Sequence, residues 1–362
     1  MKVLHVINSM ATGGAEKLIA QSLPLMETRG IETGLLLLDG TRHPFLDDLQ
    51  RKYSGPIFQT GAQNVYSPLH IFRLMRVMSR YDIVHVHLFP SVYWAAIAKW
   101  LSLSGTKLIF TEHNTHNRRR EKKLFKIADR VIYRAYSAIT CITEGAREAL
   151  AAHLGSANKL SVIENGIDLE AIAGAPRISR REIHPSLSDD DKVIVMVAAF
   201  RAQKDHATAI RAMQKLPQNV KLVFAGDGNL KSQNIELAES LGLGGRILFL
   251  GNRPDVASIL KSSTIALLSS HWEGFGLAAV ESMAAEIPFV ASDVPGLAQV
   301  AGGAGLLFEK GNADQLSSVL NKLLSDPDLY RSTAEACSNR AARFDITQMV
   351  SQFIALYKNT IR

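Results

Sequence analysis

The chain has 362 residues, of which 47% are hydrophobic and 21% are charged, and its formal net charge is +7 at pH 7. This length is too great for one ordinary domain and favours two domains of about 150 to 200 residues, while the composition excludes a disordered chain. Two cysteines, Cys141 and Cys337, exclude a disulfide framework and point to a reducing, cytoplasmic compartment. The longest charge-free apolar stretch, VIVMVAAF, is far shorter than the roughly 20 residues of a membrane-spanning helix, and the first apolar run contains His5 and Asn8, unlike a signal peptide.

The first half of the chain alternates short β-branched runs with helical patterns. In chain order the predicted strands are VLHVI, TGLLLLD, DIVHVHLF, KLIFTEH and AITCIT. The predicted helices between them are GAEKLIAQSLPLMETRG, PLHIFRLMRVMSRY, SVYWAAIAKWLSL and RREKKLFKIADRVIYRA. Strand-helix alternation predicts a parallel sheet with helices on both faces.

The second half repeats this plan. Its predicted strands are KVIVMVAAF, VKLVFAG, RILFLG, IALLSS, PFVAS and AGLLF, and its predicted helices are HATAIRAMQKL, LKSQNIELAESLG, VASILKSS and LAAVESMAA. We therefore predict an α/β protein of two doubly wound, Rossmann-like domains, 1–165 and 192–345, joined by a polar linker at 166–191 without sustained periodicity. The final segment, 346–362, is a candidate helix to pack back on the first domain. Ligands bind beyond the carboxyl ends of parallel strands, so the cleft between two such domains is the expected site.

The positive charge is concentrated in the first half. Residues 1–180 hold 23 Lys and Arg against 15 Asp and Glu, whereas residues 181–362 hold 18 against 19. The densest basic cluster, HNRRREKKLFK, contains Arg118, Arg119, Arg120, Lys122, Lys123 and Lys126. Such a cluster is typical of a surface that meets anionic lipid, a phosphate-bearing acceptor or nucleic acid, and equally of a solvated helix face.

The stretch HWEGFGLAAVES places two carboxylates, Glu273 and Glu281, in an apolar neighbourhood around a Gly-Phe-Gly turn. Buried carboxylates are uncommon without a partner. The turn follows a predicted buried strand, and the helix that starts near Leu277 presents free N–H groups suited to an anion. Glutamates cannot bind a phosphate, so they should bind neutral, hydroxyl-rich groups on either side of it. A sugar, a phosphate and a ribose in a row describe a nucleotide sugar.

Cations should approach from the end of another strand, and the segment VMVAAFRAQKDH supplies Arg201 and Lys204 there. Arg can grip a diphosphate with two hydrogen bonds and Lys adds a point charge. Taken alone, the two residues are equally consistent with a surface Arg and a Lys at the start of a helix.

These motifs together resemble the family-4 retaining glycosyltransferases (glycosyl transferases group 1) of the GT-B fold. The pattern E-G-F-G-L-x-x-x-E, preceded by R-x-x-K and followed by PFVASDVPG, carries the resemblance. TGGAEKLIAQSL is similar to the family's first glycine loop, DIVHVH to its His-bearing strand and IENGID to its hinge signature. Each motif is weak alone, but their order and spacing cover nearly the whole chain and are specific.

The resemblance implies a set of donor-binding residues in the second domain. Glu273 would contact the hydroxyls of the donor sugar, and Glu281 those of the ribose. Sugar and diphosphate would be held by the backbone of Gly274, Phe275, Gly276 and Leu277. The loop that contacts the base would begin at Asn252 and Arg253.

The resemblance also implies a catalytic set. Arg201 and Lys204 would neutralise the leaving diphosphate, Gly14 would meet that diphosphate from the first, acceptor-side domain, and His113 would lie near the donor sugar. With Glu273 as a positioning and charge-stabilising group, the expected catalytic residues are His113, Glu273, Arg201 and Lys204.

The expected activity is transfer of a sugar with retention from an NDP-sugar, favoured as a UDP-sugar, to a glycan or lipid-linked acceptor in surface polysaccharide biosynthesis. A UDP-sugar epimerase of the same two-domain fold is the alternative. No cofactor and no metal are expected, because Arg201, Lys204 and helix N-termini would stabilise the diphosphate. The expected location is the cytoplasm, with peripheral contact between the basic first domain and an anionic inner membrane face, and no nucleic-acid partner is expected. The identity of the sugar, the base, the acceptor and the oligomeric state stay open.

Two further positions carry specific expectations. His85 and His87 alternate on one strand and so share a face. They are packed or hydrogen-bonded histidines, cleft-lining residues or a pair of metal ligands that lacks a third at metal spacing. Glu286 occupies the position at the end of the Glu281 helix where the family that the chain resembles usually has a glycine. Either that helix ends differently, or Glu286 adopts a left-handed conformation at a cost of about 1 kcal/mol.

Overall fold

The structure, a computed structural model, describes residues 1–11, 13–61, 64–114, 120 and 122–362. The chain forms two compact units. The N-terminal domain consists of Met1–Gly166 and Ile346–Arg362, and the C-terminal domain is the uninterrupted segment Ile167–Asp345.

The N-terminal domain is built on one parallel sheet. Its strands are β1 (Lys2–Ile7), β2 (Glu32–Leu37), β3 (Ile57–Gln59), β4 (Ile83–His87), β5 (Lys107–Glu112), β6 (Ala138–Cys141) and β7 (Leu160–Val162). Its helices are α1 (Gly14–Thr28), α2 (Pro44–Lys52), α3 (His70–Met78), α4 (Ser91–Ser102), α5 (Lys123–Ile132), α6 (Glu144–Leu154) and, from the end of the chain, α16 (Ile346–Ile361). The strand order is β3-β2-β1-β4-β5-β6-β7.

The C-terminal domain repeats this design with a sheet in the order β10-β9-β8-β11-β12-β13. The strands are β8 (Lys192–Val197), β9 (Val220–Ala225), β10 (Ile247–Gly251), β11 (Ile265–Leu268), β12 (Phe289–Ser292) and β13 (Leu306–Phe308). The helices are α7 (Leu169–Ala173), α8 (Arg180–Ile183), α9 (His206–Ala212), α10 (Lys231–Ser240), α11 (Val256–Lys261), α12 (Leu277–Ala284), α13 (Pro295–Ala301), α14 (Ala313–Ser325) and α15 (Pro327–Ala341).

The central strands are buried on both faces. In β4 every residue is buried, and in β1 only Lys2 at the strand start is exposed. Helices cover both sides of a parallel sheet, so its strands read as continuous apolar runs instead of alternating ones. The predicted fold class, two doubly wound α/β domains, is confirmed for each domain.

The segment predicted as a linker, 166–191, differs from that expectation. All of it after Gly166 belongs to the C-terminal domain, where Ile172 and Ile183 on α7 and α8 are buried. These helices are too short to show a period, but each starts at a capping residue. Asp168 caps α7, and Ser179 with Glu182 forms a capping box at α8.

The final helix, α16, is part of the N-terminal domain. Its Phe353 and Tyr357 are buried, and both rings pack against His85 of β4, with centroids 5.1 and 5.7 Å from the imidazole. In the part of the chain that the structure describes, no helix has both the length and the apolar character needed to cross a bilayer.

The strand order fixes where each domain can bind a ligand. In each sheet the order reverses once, between β1 and β4 in the N-terminal domain and between β8 and β11 in the C-terminal domain. Loops that leave the carboxyl ends of strands on either side of such a reversal diverge and open a crevice. These loops carry the residues of the candidate site.

Candidate functional site

In the C-terminal domain, the loops that follow β8 and β11 are joined by hydrogen bonds. The amide of Asp205 donates to the carbonyl of Ser269 at 3.1 Å, and the Ser269 hydroxyl donates to the Asp205 carbonyl at 2.7 Å. The amide of His271 donates to the Gln203 carbonyl at 2.8 Å. These hydrogen bonds place Lys204 of one loop beside the Glu273 carboxylate of the other.

Lys204 and Glu273 form an ion pair where the two loops meet, with side chains that are 16% and 7% exposed. Two further side chains hold the same carboxylate. Gln203 Nε2 donates to Glu273 Oε2 at 3.4 Å and to the Trp272 carbonyl at 3.0 Å, and the Ser270 hydroxyl donates to Glu273 Oε1 at 3.3 Å. The carboxylate of Glu273 is therefore buried but partnered, as a buried charge must be.

The two cations of the β8 loop differ in environment. Burial, with the positive Arg201 as the second cause, lowers the pKa of Lys204 to about 8. The Arg201 side chain is exposed and makes no hydrogen bond or ion pair with the described residues. Lys204 is thus already held in position, whereas the Arg201 side chain has no such contact among the described residues.

The backbone turn before α12 is tight and depends on glycine. Gly276, the N-cap of α12, has φ +84°, and a Cβ there would lie 2.8 Å from Leu297 Cδ2. Gly296, at the start of α13, approaches the turn so closely that a Cβ would lie 2.4 Å from the Glu273 carbonyl oxygen. The first N–H groups of α12 thereby lie at the carboxyl end of β11, where a helix N-terminus favours an anion.

The other predicted residues of this loop and helix have separate surroundings. Glu281 is 8% exposed in the second turn of α12, which confirms that it is not a solvated charge. The Phe275 ring is buried edge-on against Phe344, with centroids 5.4 Å apart, so only the backbone of Phe275 can serve a ligand. Gly274 and Leu277 are half-buried.

The two residues of the predicted base-contacting loop, Asn252 and Arg253, have different surroundings. Asn252 is exposed. The Arg253 guanidinium binds both carboxylate oxygens of Asp255, at 2.7 and 2.6 Å, and reaches the carbonyls of Glu182 and Ile183 at 3.5 and 3.3 Å. Arg253 therefore fastens α8 to the loop after β10, a role that the sequence did not suggest.

In the N-terminal domain, four histidines gather beside the strand reversal. His5 on β1 lies opposite His85 on β4 in the strand register, and His87 is two residues further along β4. His5 Nδ1 lies 3.2 Å from His87 Nε2, and His87 Nδ1 lies 3.1 Å from His113 Nε2. Gly14, the first residue of α1, follows the loop after β1. His5 was not singled out from the sequence.

Burial keeps these histidines neutral at physiological pH. It lowers the pKa of His5 to about 3 and that of His113 to about 4. Burial, with the neighbouring histidines as a lesser cause, also lowers the pKa values of His85 and His87 well below 6.5.

His85 ends a chain of hydroxyl groups whose protons can be counted. Thr140 is 3.4 Å from the Phe110 carbonyl, which can only accept, so Thr140 donates to it and accepts from Thr111 at 2.7 Å. Thr111 then accepts from His85 Nε2 at 2.7 Å, and the Tyr357 hydroxyl donates to His85 Nδ1 at 2.6 Å. Every hydroxyl has one proton, so His85 carries its proton on Nε2.

This proton count bears on the metal reading of the histidines. His5, His85 and His87 each offer a nitrogen within 4.8 Å of the other two, so His5 supplies the third position that the sequence lacked. Both nitrogens of His85, however, are bonded to hydroxyl groups. A metal on His85 would break one of these bonds and leave a buried hydroxyl unpaired, which makes the set a poor metal site.

Two family models match the chain in sequence. Residues 12–171 match the Glycosyltransferase Family 4 model, and residues 179–343 match the model for glycosyl transferases group 1. The chain belongs to the family-4 glycosyltransferases of the GT-B fold. The resemblance stated from its motifs is confirmed.

Relatives of this glycosyltransferase include two bacterial enzymes. The N-acetyl-alpha-D-glucosaminyl L-malate synthase of Bacillus anthracis is 30% identical over 181 residues, which cover 49% of this chain and 48% of that protein. The UDP-Gal:alpha-D-GlcNAc-diphosphoundecaprenol alpha-1,3-galactosyltransferase of Escherichia coli is 25% identical over 99% of this chain and 96% of that protein. The crystal structure of Anabaena HepE with UDP and glucose matches with a TM-score of 0.85 at 20% identity, over 99% of this chain and 100% of that one.

Side chains that support the predicted residues of this glycosyltransferase were missed from sequence. Gln203 and Ser270 hold the Glu273 carboxylate, and Gly296 lets the turn lie against α13. The only sequence signal for the two polar side chains is their place within one to three residues of a predicted site residue.

Proposed function

We propose that this glycosyltransferase transfers a sugar, with retention and without a metal, from a UDP-sugar to a lipid-linked glycan. The observation that carries the proposal is the partly buried Lys204–Glu273 pair at the N-terminal end of α12. It puts a cation, a carboxylate and the first N–H groups of a helix together at the carboxyl ends of the neighbouring strands β8 and β11. The cation and the helix N–H groups suit a diphosphate, and the carboxylate suits the hydroxyls of a sugar.

The chemistry follows from these groups. The diphosphate would lie over the start of α12 beside Lys204 and Arg201, which stabilise the charge that develops as the bond between the anomeric carbon and the diphosphate oxygen breaks. The acceptor oxygen bonds to the same face of that carbon, and its proton passes to the leaving phosphate. Glu273 would orient the sugar through its hydroxyls, and Glu281 would bind the ribose.

The assignment of the remaining predicted groups belongs to the same proposal. Gly14, at the start of α1, would offer backbone N–H groups to the diphosphate, and His113 would contact the donor sugar. Two cations and two helix N-termini supply the neutralisation that a bound divalent metal supplies in other transferases, so no metal is required.

The UDP-sugar and the lipid-linked acceptor draw support from proteins to which the chain is similar. The Escherichia coli relative is named for transfer from UDP-Gal to an undecaprenol diphosphate, and Anabaena HepE was crystallised with UDP and glucose. The Escherichia coli relative matches along 99% of this chain.

A lipid-linked acceptor requires an approach to a membrane, and α5 offers a surface for it. Leu124, Ile127 and Val131 lie along one face of α5 and are 76%, 65% and 46% exposed. The exposed Lys126 and Arg130 lie beside this face. An apolar stripe flanked by cations is typical of a helix that lies in the headgroup layer of an anionic membrane.

The basic cluster predicted from sequence contributes less to this surface than expected. Arg118 and Arg119 lie outside the described residues. Arg120 is buried in an ion pair with Glu112, so it is not available to lipid. The exposed apolar side chains of α5, which the charge pattern did not reveal, supply much of the proposed contact.

The proposed reaction is tested with radiolabelled UDP-sugars and an undecaprenyl-diphosphate-linked sugar as acceptor, in the presence of EDTA. We expect UDP release that depends on the acceptor and a product with the anomeric configuration of the donor. Activity that EDTA abolishes and Mg²⁺ restores would overturn metal independence. Conversion of the sugar without UDP release would favour the epimerase.

The proposed membrane contact is tested by sedimentation with phosphatidylglycerol vesicles. We expect binding that falls in the double variant Leu124→Ser, Ile127→Ser and that is weak on phosphatidylcholine vesicles. Leu103→Ser, at a residue that is 90% exposed at the end of α4, is the matched control for loss of an exposed leucine. Equal binding by the double variant and the wild type would exclude α5 as the contact.

A further inference from the structure

Three imidazoles of the N-terminal domain form a row from the buried sheet to its rim. His5 is 2% exposed and His87 is 5% exposed, whereas His113 is half-buried. Two hydrogen bonds link the rings, between His5 Nδ1 and His87 Nε2 at 3.2 Å and between His87 Nδ1 and His113 Nε2 at 3.1 Å. His113 therefore has only Nδ1 left for a ligand.

The row can carry its protons in only two arrangements. Neutral imidazole has one N–H and one bare nitrogen, and burial keeps all three rings neutral at pH 7. Both bonds must therefore donate in the same direction. If they donate outward, His113 carries its proton on Nδ1. If they donate inward, His113 exposes a bare Nδ1, and His5 carries its proton on Nε2.

The inner end of the row distinguishes the two arrangements. His5 Nε2 is buried and has no hydrogen-bond partner among the described residues. The inward arrangement would leave a buried N–H without an acceptor there, and such orphaned donors are rare in folded proteins. The outward arrangement leaves a bare nitrogen there instead, and the protons of His5 and His87 each point at an acceptor nitrogen of the next ring.

We propose that His5 and His87 are positioning residues that hold His113 as the Nδ1–H tautomer, so that His113 presents a hydrogen-bond donor and not a base to the sugar. This inference rests on the proposed function for the contact with sugar. A donor at His113 agrees with a reaction in which the leaving phosphate takes the acceptor's proton, since His113 then has no proton to abstract.

The tautomer is measured directly by two-bond ¹H–¹⁵N correlation spectra of protein labelled with ¹⁵N-histidine, at pH 7 and without substrate. Protonated and bare ring nitrogens have distinct ¹⁵N shifts, and the His113 signals are assigned by their loss in His113→Asn. We expect a neutral His113 with its proton on Nδ1. A proton on Nε2, or on both nitrogens, would overturn the inference.

Remote variants test whether the row sets the tautomer. His5→Phe keeps the His87–His113 bond but removes the donor to His87 Nε2, so His113 should shift to a mixture of both tautomers, although His5 is one ring removed from it. His87→Phe should have the same or a larger effect. His70→Gln removes a buried histidine of the same domain, bonded to Thr60 and Asn64, and should leave His113 unchanged. An unchanged His113 in His5→Phe would contradict the role of His5.

Kinetics separate this inference from the proposed function. If His113 serves the sugar, His87→Phe should lower kcat about 100-fold with a smaller change in KM for the UDP-sugar, and His87→Asn, which can still bond to His113, should recover much of the loss. A confirmed tautomer with unchanged kcat in His87→Phe would place the sugar elsewhere and leave the positioning role intact.

Discussion

The two domains share a strand order but treat their buried polar groups in opposite ways. At the reversal in the C-terminal domain, Lys204 and Glu273 form an ion pair. At the reversal in the N-terminal domain, four histidines are neutral, and each is hydrogen-bonded to another histidine or to a hydroxyl group. A charge-stabilising site and a neutral hydrogen-bonding site thus arise at equivalent places in two similar sheets.

This difference shows that the fold supplies the place and the side chains supply the chemistry. A buried ionisable group stays charged when it has a partner of opposite charge. Without such a partner, burial shifts its pKa towards the neutral form. The first solution gives groups that can neutralise a leaving diphosphate. The second gives donors and acceptors that orient without adding charge. The following experiments would break or sharpen this contrast.

The largest expected effect is on the charged side of the contrast. Lys204→Ala removes the partly buried cation, and kcat should fall about 100- to 1,000-fold because the leaving diphosphate loses one fixed positive group. Lys204→Arg keeps the charge and should retain more activity. Steady-state kinetics with a UDP-sugar and acceptor measure both, and a wild-type rate in Lys204→Ala would remove Lys204 from the reaction.

The pH dependence of kcat/KM distinguishes the two kinds of site. The pKa of Lys204 is lowered to about 8, so the lysine is protonated below that pH and loses its proton above it. We expect kcat/KM to be flat from pH 5.5 to 7 and to fall about tenfold per unit above about pH 8. Lys204→Arg should abolish this fall, because a guanidinium stays protonated.

The same profile tests the neutral site. The pKa values of His5 and His113, about 3 and 4, lie below the measured range, so these histidines contribute no change of charge there. A second step in kcat/KM near pH 6.5 that His113→Asn removes would show a titrating histidine and would contradict the contrast.

Glu281→Ala should have a smaller effect, confined to nucleotide binding. Loss of a charged acceptor for the ribose hydroxyls costs about 1.5 to 3 kcal/mol, so the Kd of UDP should rise at least tenfold. Titration calorimetry measures the Kd, and Glu281→Gln, which keeps an acceptor of the same length, should lose less. Unchanged affinity for UDP in Glu281→Ala would refute the contact.

The smallest expected effect lies on the neutral side. Tyr357→Phe removes the donor to His85 Nδ1 and leaves that buried nitrogen unpaired, which should lower the free energy of unfolding by about 1 to 3 kcal/mol. Urea denaturation measures the change. Tyr66→Phe, at a residue that is 60% exposed, should stay within about 0.5 kcal/mol of the wild type. Equal stability of both variants would show that the Tyr357 hydroxyl is not needed.

The fold was predictable because its signals are local and repeated. Each strand is an apolar run such as VIVMV, and each lies between segments of helical period, which leaves few alternatives to a doubly wound sheet. The segment 166–191 was predicted as a linker because its two helices, of one turn or little more, are too short to show a helical period. Their capping residues, Asp168 and Ser179, were the signal that could have located them.

The candidate site was predictable only where motif residues are contiguous. Glu273, Gly276 and Glu281 lie on one turn and one helix, so their spacing in sequence fixes their spacing in the structure. Residues that are far apart in sequence but close in the structure could not be predicted in this way. His5 contacts His87 because β1 pairs with β4, and no pattern within either strand predicts that pairing.

For the backbone at Glu286, the sequence left two conformations open and did not distinguish between them. Its φ is +62°, so of the two outcomes that the sequence allowed, the left-handed residue is the one the structure adopts. Its carboxylate lies 3.7 Å from the Arg177 guanidinium, an exposed pair that stabilises little.

The return of α16 to the N-terminal domain has a consequence for synthesis of the chain. Ribosomes make proteins from the amino terminus, so the whole segment Ile167–Asp345 emerges before Phe353 and Tyr357 exist. Until then, His85 lacks the two aromatic rings that pack against it, and its Nδ1 lacks the phenol donor. The second domain, an unbroken stretch whose first residue, Ile167, bonds to Phe344 at 2.8 Å, can complete itself earlier. The domain begun first is therefore the one finished last.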